Sequence, residues 1–127
     1  MTFERYGEKK ILQEFEPITL EQMNEVALMN RTDTKFVIGR GLFNEVLPLL
    51  KNDYRSLEIK GTKMSGYSTQ YFDTSSFKFY LDHHNRRSLR HKVRIRKYVE
   101  SDLFFLEIKK KYKGRTDKKR IKVTDFE

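Results

Sequence analysis

Apolar and polar positions alternate with a period of two through about 90–99, 102–111 and 117–124, which predicts three β-strands. Turns fall between them near Glu100-Ser101 and at Lys113-Gly114-Arg115. Upstream, Thr32–Ile38 reads as a strand rich in Thr, Phe, Val and Ile, closed by Gly39 and Gly41. Leu42, Val46, Leu49 and Leu50 recur at helical spacing, predicting an amphipathic helix over 42–51 whose last turn Pro48 would kink. Tyr54–Lys60 reads as a strand, Gly61–Gly66 as a turn and Tyr67–Asp73 as the hairpin partner of that strand. A helix over Ser75–Asn85 carries Phe77, Tyr80 and Leu81 on one side. Near the N-terminus, Thr19 with Gln22 three residues on has the form of a capping box, opening a short helix through about Met29. Residues 1–17 lack a clear period and read as an arm or a helix, with one domain from 18 to 127. The fold class is α+β with an antiparallel sheet.

Alternation also decides where the charges point, because successive strand side chains face opposite sides. Arg90, Lys92, Arg94 and Arg96 fall together, opposite Val93 and Ile95. Phe104, Leu106 and Ile108 share one face of the next strand; Glu107, Lys109 and Lys111 share the other. Ile121 and Val123 oppose Lys118, Arg120 and Lys122, and Phe36 and Ile38 oppose Arg31, Asp33 and Lys35. Four strands thus repeat one rule, apolar on one face and cationic with an isolated acid on the other. Like charges directly across a sheet destabilise it. A chain that accepts that cost on four strands is expected to bind a strongly anionic ligand there.

Charge along the chain sharpens this. Residues 1–64 hold ten basic and ten acidic residues, whereas 65–127 hold seventeen and eight, so the whole net charge of +9 sits in the second half. That points to a localised anion site. The absence of cysteine excludes a disulfide scaffold, a thiolate metal site and a thiol nucleophile. No apolar run approaches the roughly 18 residues that cross a bilayer, which makes a soluble cytoplasmic protein the expectation.

Arg offers a planar fork to phosphate oxygens and Lys a flexible point charge. Binders of single-stranded nucleic acid pair cations with stacking platforms. Phe105 is the one mid-strand aromatic on the cationic face of the last three strands, which favours phosphate chains over bases and makes nucleic acid an unlikely partner. Adjacent His83 and His84 diverge by about 100° on a helix, a poor geometry for one metal, and read as helix-end groups. His91 falls on the Val93/Ile95 face as a core or rim residue. Tyr71, Phe72, Phe77 and Tyr80 read as packing for the helix, and Phe3, Tyr6 and Phe15 as anchors for the arm. Lys110–Lys113 alone reads as a solvated strand end.

The run Arg31-Thr-Asp-Thr-Lys35-Phe-Val-Ile resembles the first tunnel strand of the triphosphate tunnel metalloenzyme superfamily, whose general motif is Glu-x-Glu-x-Lys. The departure to Arg-x-Asp-x-Lys is similar to its VTC branch, the polyphosphate polymerase domain. Tyr71-Phe-Asp-Thr, Tyr80 to His84, Arg90-His-Lys-Val-Arg94-Ile-Arg96-Lys-Tyr, Phe105-Leu-Glu107-Ile-Lys109-Lys-Lys and Gly114-Arg-Thr-Asp-Lys118-Lys-Arg120 continue the likeness in order, over about 28–124.

The resemblance implies a tunnel of antiparallel strands with short helices outside, of which this chain is the N-terminal half, its open sheet edges available for self-association. It implies ATP and inorganic polyphosphate as partners and transfer of the ATP γ-phosphate to a growing chain. Arg31, Lys35, Arg90, Lys92, Arg94, Arg96, Lys109, Lys111, Lys118 and Arg120 would bind phosphate, with Lys35, Arg94, Arg96 and Lys109 nearest the chemistry. Asp33 and Glu107 would orient these cations or help hold Mn2+ or Mg2+, whose main ligand the other half would supply. Two alternatives stand beside this: a non-catalytic polyphosphate or inositol-phosphate binding module, and a basic nucleic-acid-binding domain.

Overall fold

The computed structural model describes residues 5–26 and 30–127. The chain divides into two units, residues 1–27 with 35–65 and residues 28–34 with 66–127.

In the first unit, helix α1 (Arg5–Gln13) leads to strand β1 (Pro17–Ile18) and helix α2 (Leu20–Glu25). The capping box at α2 forms as the sequence predicts. Gln22 N donates to Thr19 Oγ1 (3.1 Å) and Thr19 N to Gln22 Oε1 (3.0 Å). Helix α3 (Arg40–Val46) passes into a 3-10 turn, Leu47–Leu50. Pro48 sets that change, because its missing N–H and fixed φ disfavour another α turn. Strand β3 (Ser56–Leu57) pairs in parallel with β1. Phe15, Leu47 and Ile59 are buried, Arg40 pairs with Glu8 (2.7 Å), and Lys63 Nζ donates to the Phe15 carbonyl (2.8 Å). Phe15 is thus the anchor expected of it, whereas Phe3 lies outside the described residues.

The second unit is built on one antiparallel sheet. Strands β4 (Tyr67–Phe72), β5 (Leu89–Tyr98), β6 (Leu103–Tyr112) and β7 (Arg115–Val123) form four long rungs. The two-residue β2 (Asn30–Arg31) adds to β7, giving the order β2-β7-β6-β5-β4. The sheet is open: among the described residues it does not close into a barrel, as expected for half a tunnel. The β6–β7 hairpin turns on Lys113 and Gly114, both with positive φ (47° and 81°). That matches the primed turn whose twist suits a two-residue hairpin. Helix α4 (Lys78–His84) packs on β5, with Phe79 against His91 at 5.9 Å. It begins later than Ser75 because Asp73 accepts the backbone N–H groups of Thr74, Phe79 and Tyr80, holding 74–77 in a turn.

Two predicted strands differ. Tyr67–Phe72 pairs with β5, not with the segment Tyr54–Lys60, of which only Ser56–Leu57 is a strand. The predicted strand Thr32–Ile38 is absent: pairing stops at Arg31, and Phe36 and Val37 are exposed. An alternating pattern needs a neighbour on which to bury its apolar face, and β2 is paired only at Asn30 and Arg31.

Burial is reversed relative to the simple reading of the strands. Tyr98, Phe105, Glu107 and Thr116, all on the cationic face, are 5%, 6%, 2% and 2% exposed. On the face read as apolar, Ile95 is buried but Ile108 and Ile121 are 41% and 60% exposed. Arginine guanidinium groups cover the rings on the cationic side, Arg96 over Tyr67 and Arg120 over Phe105. Phe105→Ala should therefore cost about 3–5 kcal/mol and Ile121→Ala no more than about 0.5 kcal/mol, measured by urea unfolding. The opposite ranking would place the core on the other face.

Candidate functional site

The register turns the alternation into transverse rows. Arg31, Thr116, Lys111 and Arg90 stand side by side on β2, β7, β6 and β5. The next row is Lys118, Lys109 and Lys92, three ammonium groups directly opposite one another. The third is Arg120, Glu107, Arg94 and Tyr71, and the fourth Lys122, Phe105, Arg96 and Thr69. Rows lie two residues apart, about 7 Å, so Arg90 to Arg96 spans about 20 Å along the sheet.

Glu107 is the acid in the middle of this field. Its Oε2 accepts from Arg94 Nε (2.7 Å) and pairs with Nη2 (2.6 Å); Lys118 Nζ lies 3.0 Å from Oε1. The contact to Lys118 is close but poorly aligned, so Oε1 has an ion-pair partner without a well-directed hydrogen bond. Burial pushes the Glu107 carboxyl up, but Lys118 and Arg94 outweigh it and hold it below the usual carboxylate range. Arg94 Nη1 also donates to Tyr71 Oη (3.3 Å). That bond, against a smaller opposing effect of burial, lowers the Tyr71 phenol, with Lys92 and Arg96 adding to it.

Aromatic rings fix two further guanidinium groups. Arg96 lies over Tyr67 at 4.5 Å and Arg120 over Phe105 at 4.6 Å. Tyr98 meets both rings edge to face, at 5.0 and 5.6 Å. Tyr71, read from the sequence as packing for the helix, is largely exposed and borders the cationic face through Arg94. Phe77 and Tyr80 are likewise exposed, with Tyr80 stacked on His84 at 6.2 Å. Sequence reasoning misses Tyr67 and Tyr71 as neighbours of these cations because it pairs β4 with a different strand, and it leaves Tyr98 as a strand end. The alternation of Tyr67, Thr69 and Tyr71 is the available signal.

The expected set is thus brought together, with one exception. Lys35 belongs to the first unit and lies in an irregular segment, not on a strand of the sheet. Asp33 lies in the second unit just beyond β2, where it accepts from Arg31 Nε at 2.8 Å. Both acids are thus ion-paired with neighbouring cations. Neither fits a resident Mn2+ or Mg2+: each carboxylate is engaged by guanidinium or ammonium, and no cluster of three ligating groups occurs among the described residues. Burial pushes the His83 imidazole pKa down, and Lys92, Arg90 and Lys109 add to the effect.

Two buried donors are unanswered. The Nε atoms of Arg90 and Arg96 are shielded from solvent and have no hydrogen-bond partner. A buried donor left unmet costs about 1–3 kcal/mol.

Because the folded pKa of Glu107 is depressed, its stabilising contribution is complete above the unfolded value of about 4.3 and is lost as pH falls through the folded value. Glu107→Gln should destabilise the fold by on the order of 3 kcal/mol at neutral pH. It should also flatten the acid limb of stability against pH. A variant with the parent's acid limb would show that Glu107 does not hold the field together.

Among known protein families, the model for the VTC domain matches residues 30–127. No curated protein and no solved structure matches the chain. The matched span holds every strand of the cationic sheet, and no helix among the described residues is long and apolar enough to cross a membrane. On the strength of that match, over most of its length, this chain belongs to the VTC domain family.

Proposed function

We propose that the cationic sheet binds a linear polyphosphate chain and ATP, and that it serves transfer of the ATP γ-phosphoryl group to the chain end. The observation that carries this reading is the register that lines cations from Arg90 to Arg96 in transverse rows, about 20 Å along one face. A linear polyanion with a charge at every unit follows the rows and relieves the repulsion between facing cations such as Lys92 and Lys109. A compact anion meets one end only.

Phosphoryl transfer asks the protein mainly for position and charge neutralisation, with no side-chain nucleophile. On this reading Arg94, fixed by Glu107 and Tyr71, and Arg96, fixed by Tyr67, hold the reacting phosphates rigidly. The bond between β-oxygen and γ-phosphorus breaks as an oxygen of the terminal phosphate attacks, and ADP leaves. No step is assigned to a metal held by the described residues. ATP turnover into polyphosphate distinguishes a polymerase from a pure binding module.

Calorimetric titration at about 0.15 M salt with polyphosphate, ATP and single-stranded RNA tests the reading. Polyphosphate should bind more tightly than RNA at matched charge. Arg94→Ala/Arg96→Ala should weaken it by about tenfold or more, since a hydrogen bond to a charged group is worth about 1.5–3 kcal/mol. RNA binding as tight or tighter, and indifferent to the double variant, would contradict it.

A further inference from the structure

A second basic depression, of about 550 Å3, opens at the β6–β7 hairpin and is lined by Lys110, Tyr112, Lys113, Arg115 and Asp117. Register puts Lys110 beside Asp117 and Tyr112 beside Arg115. These residues alternate with Lys111 and Thr116, so they occupy the face of the sheet opposite the cationic rows. The hairpin therefore presents cations on both faces at one end of the sheet, the end where Arg90 and Lys111 terminate the rows.

We infer that this hairpin is an outer landing site for phosphate: Lys110, Lys113 and Arg115 take units of a polyphosphate chain that runs past the last row. The inference rests on the polyphosphate reading of the cationic face. Lys113 stands two residues from Lys111, about 7 Å away along the strand, close enough for one continuous chain to touch both. The turn fixes that position, since Lys113 and Gly114 adopt left-handed backbone angles and Lys113 N donates to the Ser88 carbonyl (3.2 Å). Lys113 Nζ rests 5.3 Å from the centre of the Tyr112 ring, which holds the ammonium at the rim of the depression. Three cations against the single carboxylate of Asp117 leave the depression net positive, and Asp117 stands opposite Lys110 much as Glu107 stands opposite Arg94. A triphosphate seated among the central rows does not extend this far, whereas a long chain does.

The test compares long-chain polyphosphate with inorganic triphosphate across a series of salt concentrations, using the full chain and three variants. Lys113→Ala/Arg115→Ala should leave triphosphate binding unchanged and weaken the long chain severalfold. Its slope of log affinity against log salt should shrink by about 1.4, at about 0.7 for each phosphate that the variant no longer neutralises. Lys9→Ala/Lys10→Ala, which removes the same charge from exposed positions on α1, should change neither ligand. Unchanged long-chain affinity and slope in the hairpin variant would overturn the inference, as would an equal loss for both ligands or an equal loss in the α1 variant. Arg94→Ala separates the two claims: if it leaves triphosphate binding intact, the reading of the cationic face fails irrespective of the hairpin. An acidic peptide that competes for the hairpin better than long-chain polyphosphate would also overturn it.

Discussion

The ion-pair cluster around Glu107 is the constraint on which the rest of the sheet depends. One carboxylate, 2% exposed, meets Arg94 from β5 and Lys118 from β7 and so ties three neighbouring strands through a single side chain. Without it, the rows of Arg and Lys would repel one another across the sheet with nothing between them. With it, Arg94 is immobilised and stays charged: burial works against the charge, but Tyr71 and Glu107 more than offset it. A buried carboxylate here exchanges desolvation cost for the fixed placement of cations, which is what recognition of phosphate oxygens needs.

Rings do for Arg96 and Arg120 what the carboxylate does for Arg94. Tyr67, Tyr98 and Phe105 form a contiguous aromatic floor at one end of the face, and the guanidinium planes lie over it. The floor is also core, because Phe105 and Tyr98 are among the most buried apolar residues of the second unit. Stability and ligand recognition therefore share one surface. At the opposite end, Lys92 faces Lys109 and Arg90 faces Lys111 across the sheet, while Lys118 reaches to Glu107. The face is graded, from aromatic at one end to richer in facing cations at the other, and the hairpin continues the cationic end.

Most of this sheet is legible in the sequence because the strands are long and their alternation is strict. β5, β6 and β7 fall within a residue or two of their predicted bounds, and the facing sets Arg90 to Arg96, Glu107 to Lys111 and Lys118 to Lys122 follow from period two alone. Pairing is less legible. Tyr67–Phe72 belongs to β5 across an intervening helix, a non-local choice that a local turn signal at Gly61–Gly66 could not reveal. The segment 32–38 shows the converse: good strand composition without a partner makes no strand, and this removes Lys35 from the sheet. Burial is misjudged when apolar side chains are equated with the core, whereas rings covered by guanidinium groups bury part of the charged face.

The most direct test of a self-repelling face completed by a linear phosphate ligand is thermal unfolding of the chain with increasing polyphosphate at constant ionic strength. The melting temperature should rise with polyphosphate concentration, since a ligand bound by the folded state alone stabilises it. The rise should exceed that produced by sodium chloride of equal ionic strength. A melting temperature that polyphosphate leaves unchanged, or raises no more than sodium chloride does, would contradict the account.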